Sequence, residues 1–406
     1  MSWPHKSLDE LGSVSRGRSR HRPRDAAYLY GGPYPFIQTG DVKRSGLYIT
    51  EYSQTYSEAG LAQSRLWKAG TLCVTIAANI ADTGILGIDA CFPDSIIGFV
   101  PDPQKADARF VKYLFDAHLQ RQYQRFTQGA TQDNLSQAKL LSVRFPVPAI
   151  DEQLRIADVL APYDLLIENN RRRIQLLEQA ARLLYTEWFV RLRFPGHEHA
   201  KVIDGVPDGW TKSTLEDVLV ELESGGRPKG GAQDDGVPSI GAENVLGIGQ
   251  YDYSTEKYVP EDYFRAMRKG IVRDRDVVVY KDGANVGRSS FFGDGFPHER
   301  CCVNEHVLIL RAVEEVGQSL LYSWVERNET RQRIANLNAN TAQPGVSQSK
   351  MKTLDFVIPQ SAVAKLFNDT VEPFVQQVFL LAKANQALAR ARDLLLPRLM
   401  SGEIAV

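Results

Sequence analysis

Basic side chains crowd one segment near the start of the chain. Arginine occurs at every second position from residue 16 to residue 24, as Arg16, Arg18, Arg20, Arg22 and Arg24. Arginine donates in pairs to phosphate oxygens, and a protein that neutralises several phosphates binds in a strongly salt-dependent way. The segment therefore favours contact with a nucleic-acid backbone, although a solvated basic loop has the same composition.

Polar side chains that can read base edges occur at turns in both halves of the chain. Arginine matches guanine, and Asn or Gln matches adenine. The candidates are Gln38, Lys43, Arg44, Asn79, Gln132 and Asn134 in the first half, and Arg227, Lys229, Asn244, Lys281, Asn285, Arg288, Gln343 and Gln348 in the second. Because polar residues are ordinary in turns, each position alone indicates little.

Motifs for catalysis are missing from the sequence. The glycine-rich stretch at 224–231 lacks the Ser or Thr of a phosphate-binding loop, and no Asn/Asp-Pro-Pro-aromatic motif for methyl transfer to an amino group occurs. Asp41 and Lys43 offer only half of a nuclease metal cluster. His197 and His199 lie in a linker without a third ligand, and the four cysteines are expected to be buried, reduced thiols. We expect no catalytic residue, metal or cofactor on this chain.

The chain repeats itself over most of its length. Ser136-Gln137-Ala138-Lys139 returns as Ser347-Gln348-Ser349-Lys350, a shift of 211 residues, and motifs further upstream recur at shifts of 203 to 207. Two long copies differ from a solenoid, whose repeats are short and numerous. The repeat predicts a pseudo-twofold molecule with one kind of surface presented twice. Ser136 and Ser347 belong to the shared framework and are also candidate helix caps.

Each copy reads as a mixed α/β part followed by a helical tail. Strands are predicted at 70–76, 95–100, 276–280 and 306–310, and helices at 110–126 and 320–334. The tails show heptad spacing, with Pro162 and Pro373 expected to kink the helix or restart it. About 28 residues after each proline give a length of ~42 Å. The predicted antiparallel seam consists of Ile167, Asn170, Ile174, Leu177, Leu184, Trp188, Phe374, Val378, Leu381, Asn385, Leu388 and Leu395. Two helices that each dock on their own domain are the alternative.

Composition excludes several classes of protein. With 43% hydrophobic and 24% charged residues, the 406-residue chain is globular, and no stretch is apolar enough for a membrane span or a signal peptide, so a cytoplasmic location is expected. The net charge is −1 overall, but residues 1–150 carry +4 and residues 194–359 carry −6. Phosphate contacts in the second half must therefore come from local patches.

Three segments resemble the specificity subunit of type I restriction-modification enzymes. They are Glu152 to Ile156, Trp188 to Glu198 and Leu395 to Ile404, and the layout is similar over essentially the whole chain. The second copy departs from the pattern, since Val363-Ala364 replaces Glu152-Gln153. The resemblance implies a non-catalytic subunit that reads a bipartite, asymmetric site in double-stranded DNA. Modification subunits, two in number, would carry S-adenosylmethionine, and restriction subunits would use ATP and Mg²⁺.

The expected fold class is α+β, with two target recognition domains related by pseudo-twofold symmetry and separated by two long antiparallel coiled-coil helices. The expected boundaries are 1–150 for the first recognition domain, 151–193 for the first helix region, 194–206 for a linker, 207–359 for the second recognition domain and 360–406 for the second helix region. A coiled-coil adaptor that binds only proteins is one rival hypothesis, favoured by the acidic second domain. An autonomous nuclease is the other.

Overall fold

The computed structural model describes residues 3–21, 23–77, 80–127, 136–338 and 345–406. It contains two compact units. The first unit comprises Met1–Glu168 together with Ala387–Val406, and the second comprises Asn169–Gln386. This division differs from the expected boundaries because each long helix is shared between the units.

The following strands and helices precede or form the first long helix. The strands are β1 (His5–Lys6), β2 (Gly12–Arg16), β3 (Tyr30–Phe36), β4 (Tyr48–Ile49), β5 (Gln54–Tyr56), β6 (Leu72–Thr75), β7 (Thr83–Leu86), β8 (Ile96–Pro101) and β9 (Phe145–Pro146). The helices are α1 (Leu8–Leu11), α2 (Thr39–Arg44), α3 (Glu58–Ala62), α4 (Ala108–Thr127), α5 (Gln137–Ser142) and α6 (Ile150–Tyr185), with a π-helical turn at Thr186–Val190.

The remaining strands and α-helices lie between Val202 and Met400. The strands are β10 (Val202–Ile203), β11 (Val206–Pro207), β12 (Thr211–Thr214), β13 (Leu219–Ser224), β14 (Val237–Ile240), β15 (Lys257–Val259), β16 (Asp276–Tyr280), β17 (Ser289–Phe292), β18 (Cys302–Val303), β19 (Val307–Ala312) and β20 (Asp355–Ile358). The helices are α7 (Glu261–Ala266), α8 (Gln318–Val325), α9 (Asn328–Asn338), α10 (Gln348–Lys352) and α11 (Ser361–Met400).

The main sheet of the first unit has the strand order β2-β8-β6-β7-β4. Neighbouring strands are antiparallel except for β4, which runs parallel to β7. β6 is buried along its whole length, as expected for a central strand with both faces covered. Its side chains Leu72 and Val74 join the core that contains Phe99 and Phe110.

The main sheet of the second unit has the strand order β13-β19-β16-β17. These strands correspond in sequence order to β2, β8, β6 and β7, and they pair in the same antiparallel way. Each unit also has a two-stranded sheet that includes its last strand, β1 with β9 and β12 with β20. The internal repeat predicted from the sequence is thus confirmed as a repeat of sheet topology, and the mixed α/β class is confirmed with it.

The shared serines cap helices, as the sequence indicated. Ser136 Oγ accepts a hydrogen bond from the backbone N–H of Lys139 at 3.1 Å, and Ser347 Oγ accepts one from Lys350 at 3.3 Å. Each serine therefore satisfies an otherwise unpaired donor at the start of α5 or α10. The framework role of these residues explains why they recur.

The two long helices run antiparallel within each unit. In the second unit, Asn170 contacts Asn385, and Trp188 packs against Phe367 with ring centroids 5.9 Å apart. In the first unit, Arg392 forms an ion pair with Asp164. Of the predicted seam residues, Ile167, Asn170, Ile174, Trp188, Val378 and Leu381 are buried, and Leu177, Leu184, Phe374, Asn385, Leu388 and Leu395 are partly buried. Arg392, which fits an apolar seam poorly, has its charge compensated by Asp164.

Neither long helix restarts at its proline, which was one of the two outcomes expected there; each helix continues through it. α6 begins 12 residues before Pro162 and has 36 residues, and α11 has 40 residues and includes Pro373. A proline inside a helix costs about 3 kcal/mol. Buried side chains on both sides of each proline offset this cost, namely Leu160 and Ile167 on α6 and Val371 and Val375 on α11. The helices are therefore ~54 Å and ~60 Å long at 1.5 Å per residue.

Candidate nucleic-acid interface

One end of the first unit's sheet gathers the loops that carry the predicted arginines. The last residue of β2, Arg16, lies opposite Ile97 of β8, and Thr75 at the end of β6 lies opposite Ile96. The loop after β2, the loop before β8 and the connection from β6 to β7 therefore meet at this end. Gly17 approaches β8 so closely that a Cβ would lie 2.3 Å from the carbonyl oxygen of Pro93. We call this place the loop end of the first unit.

The arginines at this loop end fall into two groups. Arg24 donates through Nη2 to both carboxylate oxygens of Asp94 at 3.0 Å, and Arg16 donates through Nε to the carbonyl oxygen of Asp94 at 3.0 Å. Arg18 and Arg20 are exposed, and their guanidinium groups make no hydrogen bond or ion pair with the described residues. Arg22 lies outside the described residues. Two arginines are thus fixed by Asp94 and two are presented to solvent.

The second unit brings equivalent loops together. Ser224 at the end of β13 lies opposite Leu308 of β19, Tyr280 at the end of β16 lies opposite Val307, and Val279 lies opposite Ser289 of β17. The loops 225–236, 281–288 and 304–306 therefore meet at one end of this sheet. The backbone N–H of Val346 donates to the carbonyl oxygen of Lys281 at 2.9 Å, which adds the segment before α10. This is the loop end of the second unit.

Most predicted residues of the second copy lie at this loop end. Lys281, Asn285 and Arg288 belong to the connection between β16 and β17, and Arg227 and Lys229 belong to the loop after β13. Asn285 and Lys229 are exposed. Gln348 opens α10, which follows the segment joined to Lys281. A single sequence does not show that loops so far apart along the chain converge.

Acidic side chains also lie at the second loop end. Nε of Arg227 lies 2.8 Å from Oε1 of Glu305, and His306 Nδ1 lies 2.9 Å from Oδ2 of Asp282. The other carboxylate oxygen of Glu305 is buried without a hydrogen-bond partner in the described part of the chain. The loop end therefore mixes forked donors with carboxylate acceptors instead of forming a uniform basic patch.

One predicted contact residue of the second copy is a structural residue instead. Asn244 is 0% exposed, its Oδ1 accepts from the backbone N–H of Gly241, and its Nδ2 donates to the carbonyl oxygen of Asp252 and to Thr255. The prediction that Asn244 meets DNA is corrected, because its amide is committed to the loop that it stabilises. The matching polar turn in the sequence did not reveal this burial.

Residues predicted around α2 are also engaged locally. Gln38 precedes α2 and its Nε2 donates to Gln54 at 2.6 Å, while Arg44 pairs with Asp41 at 2.5 Å. Asp41 accepts from the backbone N–H of Gln38 as well, so its carboxylate caps α2. Asp41 therefore has a structural role, although Asp41 and Lys43 resemble half of a nuclease metal site in the sequence. Asn79, Gln132, Asn134 and Gln343 lie outside the described residues.

Lys43 lines a polar cavity of about 450 Å³ in the first unit. Lys112 and Thr83 both donate to Asp116 at 2.7 Å in its wall. Burial raises the pKa of the neighbouring Asp82, an effect that Lys43 opposes. Within the described residues, no group of three or more His, Cys, Asp or Glu side chains is arranged to hold a metal ion.

The four cysteines are free and buried, as expected from the sequence. Burial raises the pKa of Cys302 to about 11. Such thiols stay protonated and unreactive at neutral pH.

Asp94 and Glu305 were not among the residues predicted from the sequence. Each stands two residues before an equivalent strand, β8 or β19, and the two positions differ by 211, the shift that relates the Ser136 and Ser347 motifs. Each binds an arginine of the loop that follows the neighbouring edge strand. That shift was the signal that could have revealed them.

Residues 2–179 match the family model described as the type I restriction modification DNA specificity domain. The specificity subunit of the type I restriction enzyme MjaIX from Methanocaldococcus jannaschii is 22% identical over an alignment that covers 100% of this chain and 94% of that protein. The HindI specificity subunit of Haemophilus influenzae is 21% identical, with 97% of this chain and 98% of that protein covered.

One solved structure has a similar fold. It is the S subunit of a type I restriction-modification system from M. genitalium, with a TM-score of 0.58 at 16% sequence identity, over 98% of this chain and 96% of that one. The expected fold class is confirmed by this likeness. Among the described residues, no helix combines the length and the apolar character that a membrane crossing requires.

Proposed function

We propose that this chain is the DNA sequence-recognition subunit of a type I restriction-modification complex. The observation that carries the proposal is the repeated loop end. Both units use the same four-strand order to gather loops at one end of a sheet, yet the side chains presented there differ. A repeated scaffold with unlike contact residues suits a DNA site made of two unlike half-sites, one for each recognition domain.

The exposed donors at the loop ends support binding to DNA. Arg18, Arg20 and Lys229 are open to solvent without a partner in the described part of the chain, so they can meet phosphate oxygens at little desolvation cost. Asn285 is a candidate for the edge of adenine. In this proposal the chain supplies no catalytic residue and binds no cofactor. Methyl transfer from S-adenosylmethionine and ATP-driven restriction with Mg²⁺ belong to partner subunits.

The long helices offer a place for those partners. Besides their buried seams they expose large apolar side chains, which are Leu165, Leu166, Leu176, Leu183 and Val190 on the first helix region and Leu366, Leu380 and Leu394 on α11. Leu366, Leu380 and Leu394 differ by multiples of seven residues, so they share one helix face. Exposed apolar stripes of this kind mark protein contact sites. We assign these side chains to contacts with modification subunits, of which two bind each chain. Restriction subunits then join this complex. The assembly works in the cytoplasm, where the chromosome lies.

The function is tested by selecting DNA from a pool of random duplexes with the full-length chain in complex with its modification subunits. Sequencing of the bound duplexes should reveal two short motifs separated by an unread spacer of constant length. Replacing residues 1–150 with the equivalent domain of a relative should change one motif only. A chain that enriches no sequence, but still binds the modification subunits, would act as a protein adaptor instead.

A further inference from the structure

Asp94 and Glu305 hold an arginine at the same place in each unit. Arg24 meets both oxygens of Asp94 at 3.0 Å, and Nε of Arg227 lies 2.8 Å from Glu305. Each carboxylate stands at the loop end, two residues before the strand that occupies the second place in its sheet. The arrangement recurs although the loops that supply the arginines differ in length and sequence.

A carboxylate at this position is costly for a protein that attracts DNA. It repels phosphate, and it neutralises the arginine with which it pairs. An arginine that served only as a cation for the backbone would bind better without this neighbour. The first loop end already has such free cations in Arg18 and Arg20, and the second has Lys229. The recurrence of the acid therefore requires another explanation.

The pairing leaves each arginine able to read a base. A guanidinium carries five N–H donors in one plane, so an arginine held through one nitrogen keeps donors on the others. The side chains of Arg24 and Arg227 are 51% and 48% exposed, which leaves the remaining donors within reach of a ligand. If the guanidinium group is already held in one orientation, it loses less conformational entropy when it binds the edge of a base. Guanine presents O6 and N7 as such an edge in the major groove.

We propose that Arg24 and Arg227 each read a guanine, one in each half-site, and that Asp94 and Glu305 are the positioning residues that orient them. This inference rests on the proposed function, since it assigns bases within the two half-sites. Arg18, Arg20 and Lys229 contact phosphate and add affinity without sequence preference. Of the exposed basic side chains at the loop ends, the paired arginines determine specificity.

The buried oxygen of Glu305 agrees with this role. Its Oε2 has no hydrogen-bond partner among the described residues, while its Oε1 faces both Arg227 and His306, at 2.8 Å and 3.3 Å. His306 is in turn held by Asp282 at 2.9 Å. The carboxylate is therefore anchored between a loop cation and a fixed imidazole, which restricts where the guanidinium of Arg227 can lie.

The test is selection from random duplexes with variants of the full-length chain in its complex. Arg227→Ala and Arg227→Lys should make one G·C pair in one motif degenerate, with a loss of roughly 5- to 150-fold in preference for that pair. Arg227→Lys keeps the charge, so its salt dependence should stay close to that of the native chain. Glu305→Gln should weaken the preference at the same base pair without weakening binding to random DNA. Arg24→Lys and Asp94→Asn should do the same in the other motif.

Matched controls come from the opposite ends of the sheets. Glu315 is exposed after β19 and Asp9 is exposed before β2, so Glu315→Gln and Asp9→Asn remove the same charge away from the loop ends. Neither should change a motif. Lys229→Ala should weaken binding to all sequences alike. Melting temperatures of the variants establish that each one is folded.

Several outcomes would overturn the inference. They are a uniform loss of affinity in Arg227→Lys with unchanged motifs, an effect on a base pair other than G·C, and Glu305→Gln or Asp94→Asn chains that select the native site. If the native chain selects a two-part site and these variants leave it intact, only the guanine assignment fails. If the native chain selects no sequence at all, the proposed function itself fails.

Discussion

Asn170 of α6 donates a hydrogen bond through Nδ2 to Oδ1 of Asn385 of α11 at 3.0 Å. The two amides face each other on a seam whose neighbours, Ile174 and Val378, are buried and apolar. Polar pairs of this kind weaken helix packing but favour one register, because any shift leaves both amides without a partner. The pair therefore sets which residues of the two helices lie opposite each other.

Replacing one member of this pair should destabilise the second unit. Asn170→Leu leaves the amide of Asn385 without its partner, and we expect the free energy of unfolding to fall by about 1–3 kcal/mol. The double variant with Asn385→Leu should recover this loss, since two leucines pack as well as the rest of the seam. Urea unfolding measures both changes. Asn169→Leu, at an exposed position on the same helix, is the control and should stay within about 0.5 kcal/mol of the native chain.

A second prediction concerns the ion pair on the seam of the first unit. Arg392 bonds to Asp164, which also accepts from the hydroxyl of Tyr113 at 2.6 Å. Burial and the Asp164 carboxylate raise the pKa of Tyr113 well above its ordinary value, so Tyr113 remains a donor at neutral pH. Arg392→Met leaves Asp164, which is only 7% exposed, without its cation. We expect a loss of roughly 3–5 kcal/mol in unfolding free energy.

The control for this prediction is Arg390→Met, since Arg390 is exposed on the same helix and pairs with none of the described residues. The double variant Asp164→Leu with Arg392→Met should recover most of the loss, because an apolar pair replaces a buried charge. An Arg392→Met chain as stable as the native one would show that Asp164 finds compensation elsewhere.

Most of the correctly predicted elements were found from the spacing of apolar residues in the sequence. The heptads located both long helices because a seam repeats every seven residues whatever the surrounding structure does. The strand at 276–280 was predicted at its observed limits, since a run of Val between polar residues has few other interpretations. The predicted restart at each proline did not occur, because helix propensity takes no account of tertiary packing. Here the buried residues Leu160, Ile167, Val371 and Val375 pack on either side of the prolines and keep both helices continuous.

The candidate site was less accessible from sequence. Arg24 and Arg227 were found by residue type, but nothing in their neighbourhood indicated Asp94 and Glu305, which lie 70 and 78 residues away. Their convergence is a consequence of strand order, which a single sequence does not state. Asn244 was predicted as a contact residue although it is buried. An amide in a polar turn can either bind a base edge or stabilise its own loop, and the sequence does not distinguish the two.

The third prediction concerns the salt dependence of DNA affinity, to which the free arginines of the first loop end should contribute. Arg18→Ala and Arg20→Ala should each reduce the slope of log affinity against log salt by about 1, and they should weaken binding to all sequences alike. Gel-shift titrations at several salt concentrations measure the slope. Lys105→Ala, beyond the opposite end of the same sheet, should leave the slope unchanged. An unaltered slope in both arginine variants would mean that this loop does not meet phosphate.

A fourth prediction concerns pH. Burial, and then repulsion from Glu326, raises the pKa of Glu178 above its ordinary value of 4.5, against the effect of Arg182. The folded state thus binds the proton more tightly than the unfolded state. The stability that this group contributes is present below pH 4.5 and is lost as the pH rises through the folded pKa.

Glu178→Gln should remove this loss. The free energy of unfolding of the variant, relative to the native chain, should therefore rise as the pH is increased from about 4 to about 7. Urea unfolding across this range measures the difference. Glu168→Gln, at an exposed position on α6, is the control and should track the native chain. A Glu178→Gln profile parallel to the native one would contradict the burial argument.

The last prediction tests whether the helix pair sets the spacer between the two DNA motifs. One heptad inserted after Ile174 in α6 and one after Leu381 in α11 would lengthen both helices at matching positions, because Asn170 lies opposite Asn385. Seven residues add ~10 Å of helix, which corresponds to about three base pairs at ~3.4 Å each. Selection from random duplexes should then yield both native motifs with the spacer longer by about three base pairs. Inserting seven residues at the exposed turn Asp204-Gly205 instead should leave the spacer unchanged. If the double insertion folds, keeps both motifs and retains the native spacer, the helices do not act as the ruler.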